Sequence, residues 1–301
     1  MTPDRRKFLA GTAALAASAC VPIDTSLPGR LTAKLRVIEA ASGGTLGVSF
    51  YDTASGASMG LNRSMRFGHC SSFKFSLAAM VLYLDQQGLL DASAHIRWSA
   101  DELMFNSPFT AERLEQGATL LELAETAQKS SDNAAANILL RQVGGPEGMT
   151  QFWRDIGDTI SRLDRYEPEV NNVPAGKERD TSTPDAMART VARLAWGDVL
   201  SDEPRALLRQ WMADTQTGAR RVRAGLPDGW TAGDKTGTSI WPDNAAQYVD
   251  IGWVQAPDRE PVCFATYFRS DAQQGGISPQ SEAVLAEVGK VLADFALNGV
   301  S

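Results

Sequence analysis

Segments with the pattern of β-strands lie near the two ends of this 301-residue chain. Near the amino end, Gly44–Asp52 tends towards alternation of apolar and polar residues, and Ala57–Asn62 follows across a turn, which predicts a hairpin. Three further runs near the carboxyl end are rich in valine, isoleucine, tyrosine and phenylalanine: Thr231–Thr238, Gln247–Gln255 and Val262–Arg269. The strands from both ends are therefore expected to meet in one sheet that shares a core with the helices.

The chain between these strands has mostly helical patterns, with one long exception. Outside the segment that follows Ser71, helices are predicted at Leu31–Ala41, Leu120–Lys129, Ala134–Val143, Pro146–Ile156, Thr183–Trp196, Ser201–Ala213 and Gln280–Leu297. The stretch Arg162–Asp180 is irregular, and a compact domain rarely contains so long a loop without a function for it. The prediction is an α/β protein of the α+β type, in which residues 30–66 and 214–301 form one domain around an inserted all-α domain at 67–213.

Composition excludes several classes of function. The formal net charge of −7 argues against a nucleic-acid partner. The chain has two histidines, His69 and His95, which are not spaced as metal ligands. A catalytic zinc site usually takes two or three histidines, so no metal and no cofactor is predicted. His69 is interpreted as a structural neighbour of the site described next.

An apolar run that follows Ser71 and Lys74 predicts a central helix. Phe75–Leu84 is too apolar on all sides for a surface helix, and Gly88 is placed to end it. The spacing of three residues puts the Ser71 hydroxyl and the Lys74 amine on one helix face, as a nucleophile beside a base. The alternative, that Ser71 simply caps the helix, remains open on this motif alone.

Two further motifs carry suitable chemistry. In Ser131-Asp132-Asn133, on a turn between helices, the serine can pass a proton to a leaving nitrogen and the asparagine can hold a substrate amide. In Lys235-Thr236-Gly237-Thr238, on a strand, the cation and hydroxyls suit a carboxylate. Gly237 lets the backbone come close, and the Thr238 N–H can donate to an oxyanion. Each motif alone is as consistent with an ordinary turn or strand end.

In this order, the three motifs resemble those of class A serine β-lactamases, over nearly the whole chain after residue 20. The resemblance implies an antiparallel sheet flanked by helices with an inserted all-α domain. It also implies hydrolysis of the amide of penicillins and cephalosporins, with carbapenems left open, through an acyl-enzyme on Ser71 that confers antibiotic resistance. The residues it implicates in catalysis are Ser71, Lys74, Ser131 and Glu167; those implicated in substrate binding are Asn133, Asn171, Lys235, Thr236, Gly237, Thr238 and Arg221.

The irregular stretch resembles the omega loop of that family. By this resemblance Glu167 and Asn171 hold the water that hydrolyses the acyl-enzyme, and the Glu167–Pro168 bond is expected to be cis. Arg165 and Asp180 are expected to close the neck of the loop as an ion pair, and Asn137 to bind the loop from the helical side. Whether Lys74 or Glu167 is the base of the acylation step stays open.

The chain departs from the family pattern around the substrate pocket. No arginine follows Lys235-Thr236-Gly237 closely, and Arg221 matches the alternative position of the cation that binds the substrate carboxylate. Thr238 with this arginine resembles broader-spectrum members, whereas Ser239 stands where related carbapenemases have a cysteine. Ile240-Trp241-Pro242 is bulkier than the usual glycine-rich turn. Asn106 occupies the position of an aromatic gate, with Phe105 beside it.

The first twenty residues resemble an export signal. Arg5-Arg6 begins a twin-arginine pattern, a short apolar stretch follows, and Cys20 comes after small residues. The prediction is a periplasmic monomer, either anchored by lipid at Cys20 or released by cleavage before it. Cys70 and Cys263 are interpreted as two buried free thiols.

Two other functions share part of the motif set. A D,D-peptidase or other penicillin-binding protein has the serine, lysine and Lys-Thr-Gly motifs but lacks the Glu167 loop, so penicillin stays bound to it. A β-lactam sensor also stays acylated and signals through a transmembrane region, which the sequence after the export signal does not contain. Glu167 and Asn171 argue against both alternatives, and β-lactam and water are the expected reactants.

Overall fold

The computed structural model describes residues 24–299 of the chain. Its strands are β1 (Gly44–Asp52), β2 (Ser58–Leu61), β3 (Phe67–Gly68), β4 (His95–Ile96), β5 (Ala118–Thr119), β6 (Thr181–Ser182), β7 (Thr231–Ser239), β8 (Gln247–Gln255) and β9 (Val262–Ser270). Five of them form an antiparallel sheet in the order β2-β1-β9-β8-β7. In it β1 pairs with β9 along its whole length, from Gly44 opposite Ser270 to Asp52 opposite Val262. Strands from both ends of the chain thus meet in one sheet, as predicted.

All but one of the helices were predicted: the short helix Pro108–Glu112 was not, and the first helix begins four residues earlier than predicted. They are α1 (Leu27–Ser42), α2 (Phe73–Gln86), α3 (Pro108–Glu112), α4 (Leu120–Lys129), α5 (Asn133–Gln142), α6 (Gly145–Asp155), α7 (Pro184–Ala195), α8 (Asp202–Ala213) and α9 (Pro279–Asn298). Several begin at a capping side chain. Thr119 accepts a hydrogen bond from the Glu122 backbone and forms a capping box with it at α4, and Asp132 accepts one from Ala135 at α5.

Two hydrophobic cores lie on opposite faces of the sheet. On one face α1 and α9 cover a cluster that includes Leu46, Phe50 and Phe264. On the other face, sheet residues such as Val249 and Ile251 join a larger core that continues through the helices from α2 to α8. This arrangement confirms the predicted fold class. Because the sheet contributes to both cores, the exact domain limits stay a prediction.

Helix α2 is the centre of the helical core. Every residue from Phe73 to Leu82 is buried, which confirms that the helix is surrounded on all sides. It ends at Gln86, and Gly88 follows with a φ of +67°, a conformation that glycine adopts without strain. One detail differs from the prediction. Ser71 lies in a separate 3₁₀ turn, Cys70–Ser72, and α2 itself begins at Phe73.

Two ladders of two residues each were not predicted, because so short a strand has no measurable alternation. β3 pairs with β6 and β4 pairs with β5. The first ladder matters for the site. It joins the segment just before Ser71 to the residues just after Asp180, so one end of the irregular loop is fixed beside Ser71.

The predicted export signal and Cys20 lie outside the described residues. Among residues 24–299, none of the helices combines the length and apolar character needed to cross a bilayer. Cys70 and Cys263 are both buried and free, as predicted. Burial raises the pKa of each thiol above the ordinary range of a cysteine. Both thiols therefore stay protonated and unreactive.

Candidate active site

The turn that carries Ser71 is held in an unusual backbone conformation. Cys70 has a φ of +46°, a region that residues with a side chain rarely adopt. Flanking hydrogen bonds maintain it: His69 donates its N–H to the Asp180 carbonyl at 2.9 Å, and the Ser72 hydroxyl donates to the His69 carbonyl at 2.8 Å. Non-glycine residues with positive φ tend to occur at functional sites, where the surroundings hold them in place.

The Ser71 hydroxyl contacts two groups of opposite charge. Lys74 Nζ donates to Ser71 Oγ at 3.0 Å, and Ser71 Oγ donates to Glu167 Oε1 at 3.3 Å. Lys74 Nζ and Glu167 Oε1 also lie 3.0 Å apart, and both side chains are fully buried. A proton can therefore move among the serine, the amine and the carboxylate without crossing solvent.

Lys74 is enclosed by acceptors from the Ser131-Asp132-Asn133 turn. Its amine donates to the Ser131 carbonyl at 3.0 Å and to the side-chain carbonyl of Asn133. The Asn133 amide in turn donates to the Phe105 carbonyl at 3.0 Å. Both polar ends of Asn133 are thus occupied inside the protein. The structure gives this residue a role in holding Lys74, in addition to the substrate contact predicted from its motif.

Ser131 bridges the two buried lysines. Lys235 Nζ donates to Ser131 Oγ at 3.0 Å, while Lys74 Nζ lies 3.5 Å from the same oxygen. Ser131 itself has a φ of +63°. Burial lowers the pKa of Lys235 well below its usual range, and the nearby Lys74 cation lowers it further. A lysine in this environment readily releases a proton, and Ser131 is the hydroxyl placed to receive it.

Glu167 is oriented by side chains on both sides of its loop. Asn171 Nδ2 donates to Glu167 Oε2 at 2.6 Å. From α5, Asn137 donates to the Glu167 carbonyl at 2.8 Å and accepts from its N–H at 2.9 Å, which confirms the predicted attachment to the helical side. The Glu167–Pro168 bond is cis, and Arg165 pairs with Asp180 at 2.6 Å, also as predicted.

Strand β7 packs directly against the nucleophile turn. A Cβ atom at Gly237 would lie 2.8 Å from the His69 carbonyl oxygen and 3.0 Å from the Ser71 nitrogen, closer than real contacts allow. Only glycine lets the strand approach to this distance. The approach brings the β7 backbone, with Thr236 and Thr238 on either side of Gly237, next to the Ser71 amide.

Arg221 lies buried behind this strand. Its Nη1 donates to the carbonyls of Gly237 at 2.9 Å and Val249 at 2.7 Å, and its Nη2 donates to Thr238 Oγ1 at 2.6 Å. Nε lies 3.4 Å from Glu282 Oε1 on α9. Arg221 also lines the cavity, so the structure brings it to the site where the sequence predicted it.

A cavity of about 670 Å³ opens in front of Ser71. Its wall includes the predicted site residues Ser131, Asn133, Asn171 and Thr236 to Thr238. Phe105, Ile240, Trp241 and Ile277 are apolar residues that also line it. Phe105 also lines the cavity and is 66% exposed, so it is not a core residue, while Asn106 donates its side-chain amide to the Ser131 carbonyl at 2.8 Å. Among residues 24–299, no group of three or more His, Cys, Asp or Glu side chains is arranged to hold a metal ion.

Comparison with known proteins identifies the family. A sequence model of the Beta-lactamase enzyme family matches residues 30–296. The carbapenem-hydrolyzing β-lactamase KPC of Klebsiella oxytoca is 39% identical, over 91% of this chain and 92% of its own length. The chain belongs to the class A β-lactamases. It is also 39% identical to β-lactamase FAR-1 of Nocardia farcinica, over 85% of this chain and 82% of that protein.

Solved structures agree with this class A assignment. The class A β-lactamase of the last common ancestor of Gram-negative bacteria is 41% identical, with a TM-score of 0.82. The match covers 88% of this chain and 98% of that structure. The fold and the enzyme class of this β-lactamase therefore rest on both sequence and structure.

Sequence reasoning missed several residues that shape this class A site. Glu282 binds Arg221 from 61 positions away, and no pattern in the sequence connects the two. Three side chains attach the β7–β8 end of the sheet to the omega loop: Ser239 donates to the Asn171 carbonyl at 2.7 Å, Asn244 to Asn172 at 2.9 Å and Gln247 to the Val173 carbonyl at 2.9 Å. No local pattern in residues 239–247 indicates these contacts.

Two buried carboxylates, one on β7 and one on β8, were also not foreseen. Asp234 and Asp250 are fully buried on neighbouring strands. Burial raises the pKa of Asp234 to about 6, although the Arg223 cation opposes the shift. Burial and the adjacent Asp234 raise the pKa of Asp250 well above its usual range. A charged residue in a strand is normally interpreted as facing solvent, which is why the sequence did not reveal this pair.

Proposed function

We propose that this β-lactamase acts through an acyl-enzyme on Ser71. The observation that carries the proposal is the position of the Ser71 hydroxyl between the Lys74 amine, at 3.0 Å, and the Glu167 carboxylate, at 3.3 Å. A serine becomes a nucleophile only when a base takes its proton, and both candidate bases are within hydrogen-bond reach. Because the two bases also contact one another, the proton taken from Ser71 is shared along the pair.

In the acylation step, Ser71 Oγ bonds to the β-lactam carbonyl carbon and the ring C–N bond breaks. Ser131 gives its proton to the departing nitrogen, and Lys235 or Lys74 replaces that proton. The contacts of 3.0 Å and 3.5 Å to Ser131 Oγ support this relay. The lowered pKa of Lys235 supports it as well, because a weakly basic lysine gives up its proton more easily.

The developing oxyanion is bound by the backbone N–H groups of Ser71 and Thr238. The close packing of Gly237 on the nucleophile turn supports this assignment, since it brings the two backbones together. Each such donor contributes about 2.7–4 kcal/mol to the rate of comparable enzymes.

In the deacylation step, Glu167 takes a proton from a water molecule that attacks the acyl-enzyme. Asn171 holds the far oxygen of this carboxylate at 2.6 Å, which leaves the oxygen nearer to Ser71 to serve as the base. A penicillin-binding protein or sensor lacks this loop carboxylate, so its presence beside Ser71 favours hydrolysis over lasting acylation.

The substrate carboxylate is bound at Lys235, Thr236, Thr238 and Arg221. We propose penicillins and cephalosporins as substrates, and carbapenems as a further class. Thr238 and Arg221 support the carbapenem proposal, as do relatives named for such activity, including the imipenem-hydrolyzing β-lactamase of Enterobacter cloacae, 37% identical. Ser239 stands in place of the cysteine found in related carbapenemases, so the rate of carbapenem hydrolysis by this enzyme is to be compared with theirs. Hydrolysis of these drugs would confer resistance.

We also propose that the enzyme works in the periplasm as a monomer. The twin-arginine pattern supports export, and the small residues before Cys20 support processing there. Mass spectrometry of the exported protein tests this part directly. A diacylglycerol mass on Cys20 would indicate a lipid anchor, and an unmodified amino terminus at Cys20 would indicate release. An uncleaved chain would contradict export.

The central test follows turnover of a chromogenic cephalosporin together with intact protein mass. The wild-type enzyme should turn over many equivalents, and Ser71→Ala should show neither turnover nor a mass shift. Glu167→Ala should acquire the mass of one acyl group and keep it, because nothing activates the deacylating water.

The control is Glu169→Ala, which removes an exposed carboxylate two residues away in the same loop. It should behave like the wild type. A Glu167→Ala enzyme that turns over at the wild-type rate would contradict the deacylation role. A wild-type burst of one equivalent followed by a stall would instead indicate a penicillin-binding protein or a sensor.

A further inference from the structure

The wall of the cavity continues past Arg221 to a second arginine. Arg220 Nε donates to Glu282 Oε2 at 2.6 Å, while the other oxygen of that carboxylate faces Arg221. The Glu282 side chain is 4% exposed, whereas that of Arg220 is 72% exposed. One buried carboxylate therefore holds two arginines, one inside the protein and one at the rim of the cavity.

The guanidinium of Arg220 has unused donors that line the cavity. An arginine carries five N–H groups in a rigid planar arrangement, and Arg220 uses one of them. Within residues 24–299 its other four have no hydrogen-bond partner. Since the buried Glu282 fixes the position of Nε, the remaining donors are oriented before any ligand arrives, which reduces the entropy cost of binding.

An apolar residue stands on the same wall. Ile277 lines the cavity and is 54% exposed. Its neighbour Ser278 donates its N–H to the Tyr248 hydroxyl at 2.8 Å, and the guanidinium of Arg221 lies 5.6 Å from the centre of the Tyr248 ring. Ile277 is thus connected through Tyr248 to the arginine pair. A cation and an aliphatic side chain that line one cavity suit a flat group that is both apolar and negatively charged.

Substrate chemistry indicates which group would reach this wall. The carboxylate of a cephalosporin is bound at Thr236, Thr238 and Arg221 under the function proposed above, on which this inference rests. The ring carbon that bears this carboxylate is bonded to the carbon that bears the C3 substituent. A C3 substituent therefore lies next to the bound carboxylate, in the cavity that Arg220, Arg221 and Ile277 line.

We propose that Arg220 and Ile277 form a subsite for an anionic, planar C3 substituent of cephalosporins. The negative charge of Glu282 does not cancel the positive charge that Arg220 presents to the cavity. Both oxygens of that carboxylate face arginines and its side chain is buried, so the group presented to the cavity is the Arg220 guanidinium. The local cation also differs in sign from the chain as a whole, whose net charge is −7.

The test compares two cephalosporins that share one side chain at C7. Cefotaxime carries a neutral acetoxymethyl group at C3, and ceftriaxone carries an acidic triazinedione thioether that is ionised at neutral pH. The second-order rate constant of acylation is measured for both, by rapid quench and intact mass. The ratio of the two constants is compared among the variants. The intrinsic difference in reactivity between the two drugs is the same for every variant, so it cancels in this comparison.

Arg220→Gln should lower the acylation constant for ceftriaxone about three- to fivefold, the upper range for exposed charge pairs, and that for cefotaxime less than twofold. Arg220→Lys should retain most of the preference because it keeps the charge. Arg259→Gln, an exposed arginine in the β8–β9 turn at the far end of the sheet, should change neither constant. At 1 M salt the wild-type ratio should fall towards that of Arg220→Gln, because the Debye length shrinks to about 3 Å.

Two results would overturn the subsite. One is an unchanged ratio in Arg220→Gln; the other is an equal loss for both drugs, which would mean that Arg220 acts through Glu282 on Arg221. Acylation is measured separately from turnover, so failure of the proposed function is distinguishable. A protein that is acylated but does not turn over contradicts the proposed hydrolysis, and the ratio of its acylation constants still tests the subsite. A protein that neither drug acylates overturns both the proposed function and the subsite.

Discussion

Arg221 uses almost all of its hydrogen-bonding capacity inside the protein. Of its five N–H groups, two bind the carbonyls of Gly237 and Val249, one binds Thr238 Oγ1 and one faces Glu282. At most one remains for a substrate. Because the Thr238 oxygen already accepts from Arg221, its own hydroxyl hydrogen is free to point into the cavity. Under the proposed function, we therefore expect Arg221 to act on the substrate carboxylate largely by fixing Thr238 as a donor.

A double-mutant cycle tests this residue-scale interpretation. Arg221→Lys should lower kcat/KM at least about tenfold, because a single ammonium cannot reproduce the planar set of donors. It should also lower the free energy of unfolding by about 2–3 kcal/mol, since buried carbonyls lose a charged donor. Thr238→Val removes the hydroxyl at nearly constant volume. If Arg221 acts through Thr238, the kinetic effect of Arg221→Lys should shrink in the Thr238→Val background.

Steady-state kinetics gives kcat/KM, and urea denaturation gives the free energy of unfolding, for all four proteins of the cycle. Fully additive effects on kcat/KM would mean that Arg221 reaches the substrate independently of Thr238. The stability change supplies a separate check, because it depends on the two carbonyl contacts and not on the hydroxyl.

At the scale of elements, the omega loop is closed at its neck by one buried carboxylate. Asp180 Oδ1 accepts the backbone N–H groups of Asp164 at 2.8 Å and Arg165 at 3.0 Å, and Oδ2 accepts from the Arg165 side chain at 2.6 Å. Burial raises the pKa of Asp180 in spite of these bonds. The same residue accepts the His69 N–H through its backbone carbonyl, so it couples the loop to the nucleophile turn.

Asp180→Asn should therefore loosen the loop and slow deacylation more than acylation. One oxygen becomes an amide that cannot accept, and the charge pair with Arg165 is lost. We expect the free energy of unfolding to fall by about 1.5–3 kcal/mol and the acyl-enzyme to decay several-fold more slowly. Acyl-enzyme lifetime by mass spectrometry and hydrogen exchange across residues 162–180 are the measurements.

Glu178→Gln is the matched control in the same loop. Its carboxylate is 68% exposed and lies 3.9 Å from Arg162, an arrangement that contributes little to stability. It should leave both the acyl-enzyme lifetime and the exchange rates unchanged. Equal lifetimes in Asp180→Asn and the wild type would show that the neck does not control the position of Glu167.

The elements also show where sequence reasoning succeeds and where it stops. Long helices such as α4 and α9 and strands such as β8 were predicted to within one residue, because their patterns extend over many positions. The 3₁₀ turn at Ser71 and the ladder of β3 with β6 were not, since two or three residues carry no periodicity. Local patterns report burial and not partners, so the bond between Lys74 and Asn133 and the pairing of Arg220 with Glu282 became visible only in the folded chain.

At the scale of the whole molecule, the meeting of both chain ends in one sheet leaves ionisable groups far from water. His69 is fully buried and stacks on Trp153 with 4.9 Å between ring centres. Burial lowers the pKa of His69 to about 4, from 6.5. Asp234 shows the opposite change, since burial raises its pKa to about 6, from 3.8, against the pull of Arg223.

These two groups act on stability in opposite directions. Between about pH 6.5 and 4, the unfolded chain protonates His69 and the folded protein does not, so stability falls as the pH falls through this window. Between about pH 6 and 3.8, the folded protein has already bound a proton at Asp234 and the unfolded chain has not, so this group adds stability as the pH falls. The His69 loss of about 3 kcal/mol is thus partly hidden by Asp234.

Replacing His69 should expose the contribution of Asp234. His69→Phe keeps an aromatic ring against Trp153 and removes the titration, so the free energy of unfolding should fall less on acidification from pH 7 to 4 than in the wild type. Relative to the wild type, its change over this range should be more favourable by about 3 kcal/mol, because the Asp234 effect is common to both proteins. Urea denaturation at pH 7, 5.5 and 4 measures the difference, and His95→Gln, at an exposed position, serves as the control. Parallel pH profiles for His69→Phe and the wild type would mean that His69 is protonated in the folded protein at an ordinary pH, and that the stacked ring is less isolated from water than its burial implies.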